Sequence, residues 1–385
     1  MLTLTGLLAL LYLICPLYLD PVQQPFTGAQ WYNPYATTTA SPGRWFDANF
    51  HAHARAWSGL TNGSAVPTAV DSAYRARGYA VVGISDYHRD PVAQPAGVFP
   101  VYEHGMNAAK SHALVIGGST ASWLDFPLGQ SRHQRQFVLD RLHASAPLVA
   151  IAHPGLRDPA DQSMLPRLTG FDLLEVFNHF IPPADSIWDA VLSAGHPVWL
   201  LASDDSHNLT DPGQIGVNRT RIFAVDSSPA AIIAALREGR AVGVHHEGAV
   251  PIRLESLAMQ GDTLTVVLSG AVTAIRVIGA HGTVVASQRW DRPRVASTQP
   301  TPPVSLTAVP ATGEPYLRVV AEGPNGALLY TNPVVRWNGI SLPHQDAMVD
   351  RTRTFVWRLG WSLTGVWMVA MLGWRRQRRP RTLSA

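Results

Sequence analysis

Residues 197–207 read PVWLLASDDSH, an apolar run that ends abruptly in two carboxylates and an imidazole. A run that is apolar at odd and even positions alike fits a strand covered on both faces, because strand side chains alternate between faces. Residues 80–88, AVVGISDYH, repeat the arrangement, with Asp86 and His88 just past the apolar run. Working outward, His153 follows LVAIA and Asn178 follows LLEVF. Ala-rich segments of helical character separate these strands: VPTAVDSAYRARG, HQRQFVLDRLHAS, SIWDAVLSAG and SPAAIIAALREG. Alternating strands and helices predict an α/β domain over residues 45–247, built on a mainly parallel sheet or barrel. The carboxyl ends of parallel strands share one rim, so polar residues placed just past strand ends converge there.

Composition narrows the chemistry. The chain has 385 residues, 46% of them apolar and 15% charged, which is too apolar for disorder and long enough for more than one core. Its formal charge of +3 includes five arginines in the last eleven residues, and without them the body carries −2. Such a body offers no electrostatic footprint for nucleic acid. The single cysteine, Cys15, lies in an apolar run, which excludes an intramolecular disulfide framework and a thiolate metal cluster. Eleven of the 15 histidines fall between His51 and His207, which points to one histidine-rich site.

That site has a recognisable donor set. In Phe50-His51-Ala52-His53 the two imidazoles project to one face of an extended strand and can share one metal. Glu103, His112, His153 and the Asp205-Ser-His207 pair follow in order, and imidazole with carboxylate suits Zn, Mn or Fe. A carboxylate bridging two ions is the way hydrolases hold a metal pair. Arg55, two residues beyond His53, and Arg157, after His153-Pro154, are candidate clamps for a substrate anion. Asn178 joins them as a substrate-facing candidate, although Asn178 and Asp204 equally suit roles in orienting ligands or in strand-end turns. His104 reads as a surface or supporting residue, His133 and His143 as solvated, and His179 as able to reach the rim.

The ordered set resembles the PHP (polymerase and histidinol phosphatase) superfamily of metal-dependent phosphoesterases over about Asp47 to Gly243. The residues that carry the resemblance are the opening His51-x-His53 with Asn62-Gly63 after it, Gly83-Ile-Ser-Asp86, Tyr102-Glu103, His112, Ala-His153-Pro154, Leu174-Glu-Val-Phe-Asn178 and Ser203-Asp-Asp205-Ser-His207. The resemblance implies a distorted (β/α)7 barrel. It also implies a first metal on His51, His53, Glu103 and Asp205, with Glu103 bridging to a second on His112 and His153. A third site would use His207 with partners from the first two motifs. The chain departs from the family there, with Thr61-Asn62-Gly63 for Ser-Asp-Gly and Ser85-Asp86-Tyr87 for Thr-Asp-His. Two divalent ions are therefore expected, with the third left open. His207 or His88 is the candidate proton donor to the leaving oxygen, with Asp86 beside them.

Downstream of residue 247 the pattern changes to short alternating runs such as DTLTVVLSG and YLRVVAEG, predicting a small all-β sandwich-like module over 248–340. It is similar to the β module of a PHP subgroup that includes carbamate-hydrolysing relatives. The expected function is hydrolysis of a small phosphoester, with carbamate, amide or other esters as the alternative and a catalytically weak binding or sensory module as the second. Residues 1–20 and 355–374 are apolar stretches of membrane-spanning length, the first reading as a membrane anchor or a signal segment with the anchor favoured, residues 21–44 read as a linker, and 375–385 form a basic tail. The expectation is thus a chain in the cell membrane through two helices, its catalytic domain outside and its tail in the cytoplasm. Nothing in the sequence names a protein partner.

Overall fold

The computed structural model describes residues 6, 10–38, 42–61, 63–290 and 302–377. A five-stranded sheet runs in the order Val101–His104, Ala113–Ile116, Leu148–Ile151, Leu173–Phe177 and Trp199–Ala202. Its first two pairings are antiparallel and its last two parallel. Every residue of these strands is buried. Val115, Val149, Ile151, Leu174 and Val176 pack on one side, against Val138, Leu139 and Leu142 of the helix Arg132–His143 and Trp188 and Leu192 of the helix Asp185–Ser193. Leu114, Ile116, Leu148, Ala150, Leu173 and Leu201 pack on the other side, against Phe46, Ala48, Ile222 and the helix Pro229–Arg237. The period-two division of each apolar run between two cores is the reason these segments are strands.

A ten-stranded sheet carries Arg44–Asn49, paired in parallel with Val81–Val82 and antiparallel with Asn218–Ala224. It continues through Ala241–His245 and Leu328–Thr331 into Tyr316–Glu322, Val334–Trp337 and Gln30–Tyr32. Ala274–Ile278 and Val284–Arg289 branch from it, and Arg253–Gln260, Thr263–Ser269 and Val304–Ala308 make a three-stranded sheet. Leu264, Val266, Leu268, Val277, Leu317 and Val319 form the core between the two. The five- and ten-stranded sheets meet through isolated pairings, Ala52 with Ser206, Gly83 with Phe99 and Tyr87 with Glu103. The Thr220 hydroxyl also bridges the backbone N–H and C=O of Ala202 at 2.9 Å each.

This architecture corrects the expected fold of a (β/α)7 barrel with a separate β module and a membrane helix at each end. The pairing divides into mixed sheets instead, and strands from before and after residue 247 share the largest of them, Ala241–His245 pairing with Leu328–Thr331. Apolar runs report burial but not partners. The short connection between Val101–His104 and Ala113–Ile116 leaves no room for the crossover of a dozen or more residues that parallel pairing needs, so that pair is antiparallel.

The expected membrane spans, and with them the bilayer as a partner and the placement of body and tail on opposite sides of a cell membrane, are overturned as well. Among the described residues no helix is long and apolar enough to cross a membrane. The helix Arg351–Gln377 has the length, about 40 Å at 1.5 Å per residue. However, four Trp, three Gly, Arg358, Ser362 and Thr364 dilute the apolar residues between Phe355 and Trp374. Arg358 donates to the carbonyls of Leu13 and Ile14 at 3.2 and 2.7 Å. At the other end Cys15 and Tyr18 are buried; the Tyr18 N–H donates to His133 Nδ1 at 3.0 Å and its hydroxyl to Asp140 at 2.8 Å. Residues 1–5, 7–9 and the tail from 378 lie outside the described residues. In the stretch read as a linker, Phe26 and Tyr35 are buried and Gln30–Tyr32 is an edge strand.

Candidate metal centre

The site forms where strand ends of both sheets meet. His51 and His53 follow Arg44–Asn49, Glu103 lies in Val101–His104, His153 follows Leu148–Ile151 and Asp205 follows Trp199–Ala202. His112 precedes Ala113–Ile116, and because that strand runs antiparallel its leading end reaches the same rim. All six ligand candidates are buried.

Four atoms define a first cluster. His51 Nε2 and His53 Nε2 lie 3.3 and 3.1 Å from Glu103 Oε2, and 3.2 and 3.1 Å from Asp205 Oδ1. None of the four has a hydrogen bond of acceptable geometry. Donors around a tetrahedral ion with bonds of about 2.0–2.1 Å stand about 3.3 Å apart, so the spacing is that of a cation site. The other Glu103 oxygen, Oε1, serves a second cluster, 2.5 Å from His112 Nδ1 and 3.2 Å from His153 Nε2, with those two nitrogens 3.2 Å apart. His53, Asp205 and His207 form a third grouping, in which His207 Nε2 is buried and unpartnered and its ring stacks on His53 at 4.3 Å. Buried polar atoms are rarely left unsatisfied, and lone pairs converging in this way fit divalent cations.

The electrostatics agree. Burial opposes charge on His51, but Asp205, Glu175 and Glu103 outweigh it and raise its pKa; His53 is buried too, yet Asp205 and Glu103 lift it to about 9. Burial likewise opposes ionisation of Glu103, and His112 and His51 overcome it and hold the carboxyl well below its ordinary range. Burial lowers the His112 imidazole and takes His207 down to about 4. The two anionic groups call for positive charge between them, and metal binding would displace the imidazole protons. His153 and Asp205 also have φ of +27° and +55°, left-handed values that non-glycine residues hold only where the surroundings impose them.

Glu175, which the sequence does not single out, supports the ligands from behind. Fully buried in Leu173–Phe177, it accepts from His51 Nδ1 at 3.1 Å, from the His153 backbone N–H at 2.7 Å and from Asn178 Nδ2 at 2.9 Å. It thereby fixes the His51 tautomer so that Nε2 faces the cluster, the usual carboxylate–histidine arrangement behind a metal. The signal was a lone charged residue inside the apolar run LLEVF. Asn178 contacts Asp205 Oδ2 at 3.3 Å and accepts the Phe180 N–H, so it holds ligands and is itself fully engaged. Asp204 accepts the backbone N–H groups of Gly216, Val217 and Asn218.

Other expected residues sit elsewhere. His88 donates from Nδ1 to Ser122 O at 2.7 Å and accepts the Gly105 N–H on Nε2 at 3.0 Å, so both nitrogens brace a loop. Its place in sequence suggested the rim, but a backbone φ of +48° turns it aside, toward His104 and Trp123. His104 is buried there and bonds Leu124 O at 2.9 Å. Asp86 accepts the Ala54 N–H at 2.8 Å and Arg89 at 3.2 Å, which secures the chain just after His53. Tyr87 stacks on His53 at 4.9 Å. Arg55 and Arg157 are exposed and make no side-chain hydrogen bond to the clusters, and His179 bonds Asp204 O. Asn62 lies outside the described residues.

No protein-family model and no curated protein matches the chain. Among solved structures, it is similar to a two-domain protein from Bacteroides vulgatus containing a predicted PHP-like metal-dependent phosphoesterase, with a TM-score of 0.42 and 16% identity, over 80% of this chain and 99% of that one.

Proposed function

We propose that the chain is a metal-dependent hydrolase acting on small phosphoesters, with His51, His53, Glu103 and Asp205 holding one divalent ion and Glu103, His112 and His153 a second. The observation that carries this reading is the division of Glu103, whose Oε2 faces one imidazole pair and whose Oε1 faces another. Two divalent ions, Zn or Mn by donor type with Fe as a third option, would supply Lewis acidity and lower the pKa of a bound water.

The rest is done by the chain's own groups. Glu175 and Asn178 lock His51 and Asp205 in orientation. His207 donates from Nδ1 to the Asp205 carbonyl at 2.9 Å, which leaves the lone pair on its buried, unpartnered Nε2. In that tautomer it is set to accept a proton or to ligate, and not to donate. His88, with both nitrogens occupied, and Asp86, accepting from Ala54 and Arg89, give no proton to a leaving oxygen in this arrangement.

The test is metal content of the purified chain, measured alongside hydrolysis of p-nitrophenyl phosphate, its bis-aryl diester and an aryl carbamate with Zn or Mn. About two ions per chain with turnover of a phosphoester supports the reading, and Glu103→Ala is expected to abolish turnover and weaken both sites. Turnover of the carbamate alone would move the substrate to that class. Metal without turnover would leave a binding module, and a folded chain that takes up neither ion would sink the proposal.

A further inference from the structure

Of the chain's 30 lysine and arginine residues, Lys110 is the single lysine. Elsewhere arginine makes the ion pairs, as in Arg135 with Asp161, Arg219 and Arg221 with Asp47 and Glu247, and Arg318 with Asp185 and Asp189. Lys110 makes none among the described residues. Its ammonium instead lies over the Tyr87 ring, 5.7 Å from the centroid. That ring stacks on His53 at 4.9 Å and meets His112 edge-on at 5.3 Å, so Lys110 stands one aromatic ring away from both ligand clusters.

Its backbone is held for this placement. Lys110 has φ of +58°, within a turn braced by buried Asn107, which accepts the Ser111 N–H at 2.9 Å and donates to Ser111 O at 3.1 Å. Asp125 ties the turn down through the Met106 N–H at 2.7 Å. A non-glycine backbone kept in the left-handed region by surrounding bonds is typical of functional loops. The turn walls a cleft of about 550 Å³, lined by Tyr87, Thr61, Leu60, Asn107 and Pro127 among others. That volume suits a small phosphate ester. Among the described residues that line it, Lys110 is the one charged side chain and none is a carboxylate.

We propose that Lys110 binds the phosphate of a phosphomonoester in this cleft, adding a compact positive charge to the metal centre and favouring dianionic monoesters over diesters and neutral carbamates. The proposal rests on the hydrolase reading above and deepens it by naming the substrate class. A lysine serves because an ammonium is a compact point charge on a flexible stem, whereas a guanidinium is a rigid planar fork.

Because the chain has one lysine, its ε-amine can be followed by mass spectrometry after acylation with an acetylating reagent, independently of activity. Inorganic phosphate is expected to slow acetylation of Lys110 in the full chain. Lys110→Asn, which tolerates the left-handed backbone and removes the charge, is expected to weaken phosphate inhibition and to lower kcat/KM for p-nitrophenyl phosphate by about 10- to 100-fold. Metal content and thermal midpoint should hold, and Lys110→Arg should recover part of the loss. Equal losses on monoester and diester would overturn the stated selectivity. Wild-type turnover and metal content with Lys110→Asn indifferent to phosphate would overturn the proposal while leaving the hydrolase reading standing. If the wild type neither binds metal nor turns over, that reading fails on its own. Phosphate protection of the amine then still decides the anion site: protection supports it, and an unprotected amine ends it.

Discussion

Replacing Glu175 by Gln probes the centre through a residue that touches neither proposed ion. The Glu175 carboxylate accepts three hydrogen bonds, from His51 Nδ1 on one oxygen and from the His153 N–H and Asn178 Nδ2 on the other. A glutamine can satisfy two of these donors only by placing its oxygen toward His153 and Asn178, which turns its NH2 group toward His51. His51 must then present a lone pair at Nδ1, moving its proton to Nε2, the atom that faces Glu103 and Asp205. The first cluster loses a donor while the volume of residue 175 is unchanged. Loss of such a supporting carboxylate costs about 10- to 100-fold in metal affinity, or roughly 1.4–2.8 kcal/mol. The assay is competition with a calibrated chelator, resolving tight and weak ions in wild type and variant. The site on His51 should weaken by that factor, while the one on His112 and His153 changes less. If Glu175→Gln binds both ions within about threefold of wild type, Glu175 does not set the His51 tautomer, and the tautomer argument is wrong.

Three further outcomes test the scaffold. Arg318 is buried on Tyr316–Glu322 and bonds Asp189 at 2.8 and 2.7 Å; Arg318→Met leaves that carboxylate buried and unpaired and should cost about 3–5 kcal/mol in urea denaturation, a loss under 1 refuting the assignment. Asn332 accepts the Leu200 N–H at 2.7 Å and donates to Gly239 O at 2.8 Å, so Asn332→Ala should cost about 2–4 kcal/mol, and a neutral result would show that this tie between the sheets is dispensable. Burial pushes His196 below its usual 6.5 despite its bond to Pro166 O, so the unfolded chain takes the proton first and stability falls as pH drops below about 6.5. His196→Gln should flatten the stability profile between about pH 7.5 and 5.5 relative to wild type, and parallel profiles would exclude His196 as a contributor.

The donor set was legible because it obeys local rules. Strand alternation puts His51 and His53 on one face, and polar residues placed just past buried apolar runs reach a shared rim whichever strands are neighbours. The structure accordingly brings His51, His53, Glu103, His112, His153, Asp205 and His207 together. The same local logic failed for His88, where one left-handed residue redirects the ring, and for Glu175, whose role exists only through His51 and His153, 124 and 22 residues away in the chain.

Strand pairing, the ends of the chain and the charge in the cleft were decided by tertiary contacts alone. Hydropathy over about 20 residues could not register that Tyr18 binds Asp140 and pairs with Val349, or that Arg358 caps the carbonyls of Leu13 and Ile14. Nor could spacing place Lys110 over Tyr87, because that contact depends on a turn held by Asn107 and Asp125. Periodicity determines which face of a segment is buried and where its polar end lies. Which segment it meets is a choice among distant partners, made by packing and hydrogen-bond satisfaction once the chain has closed on itself.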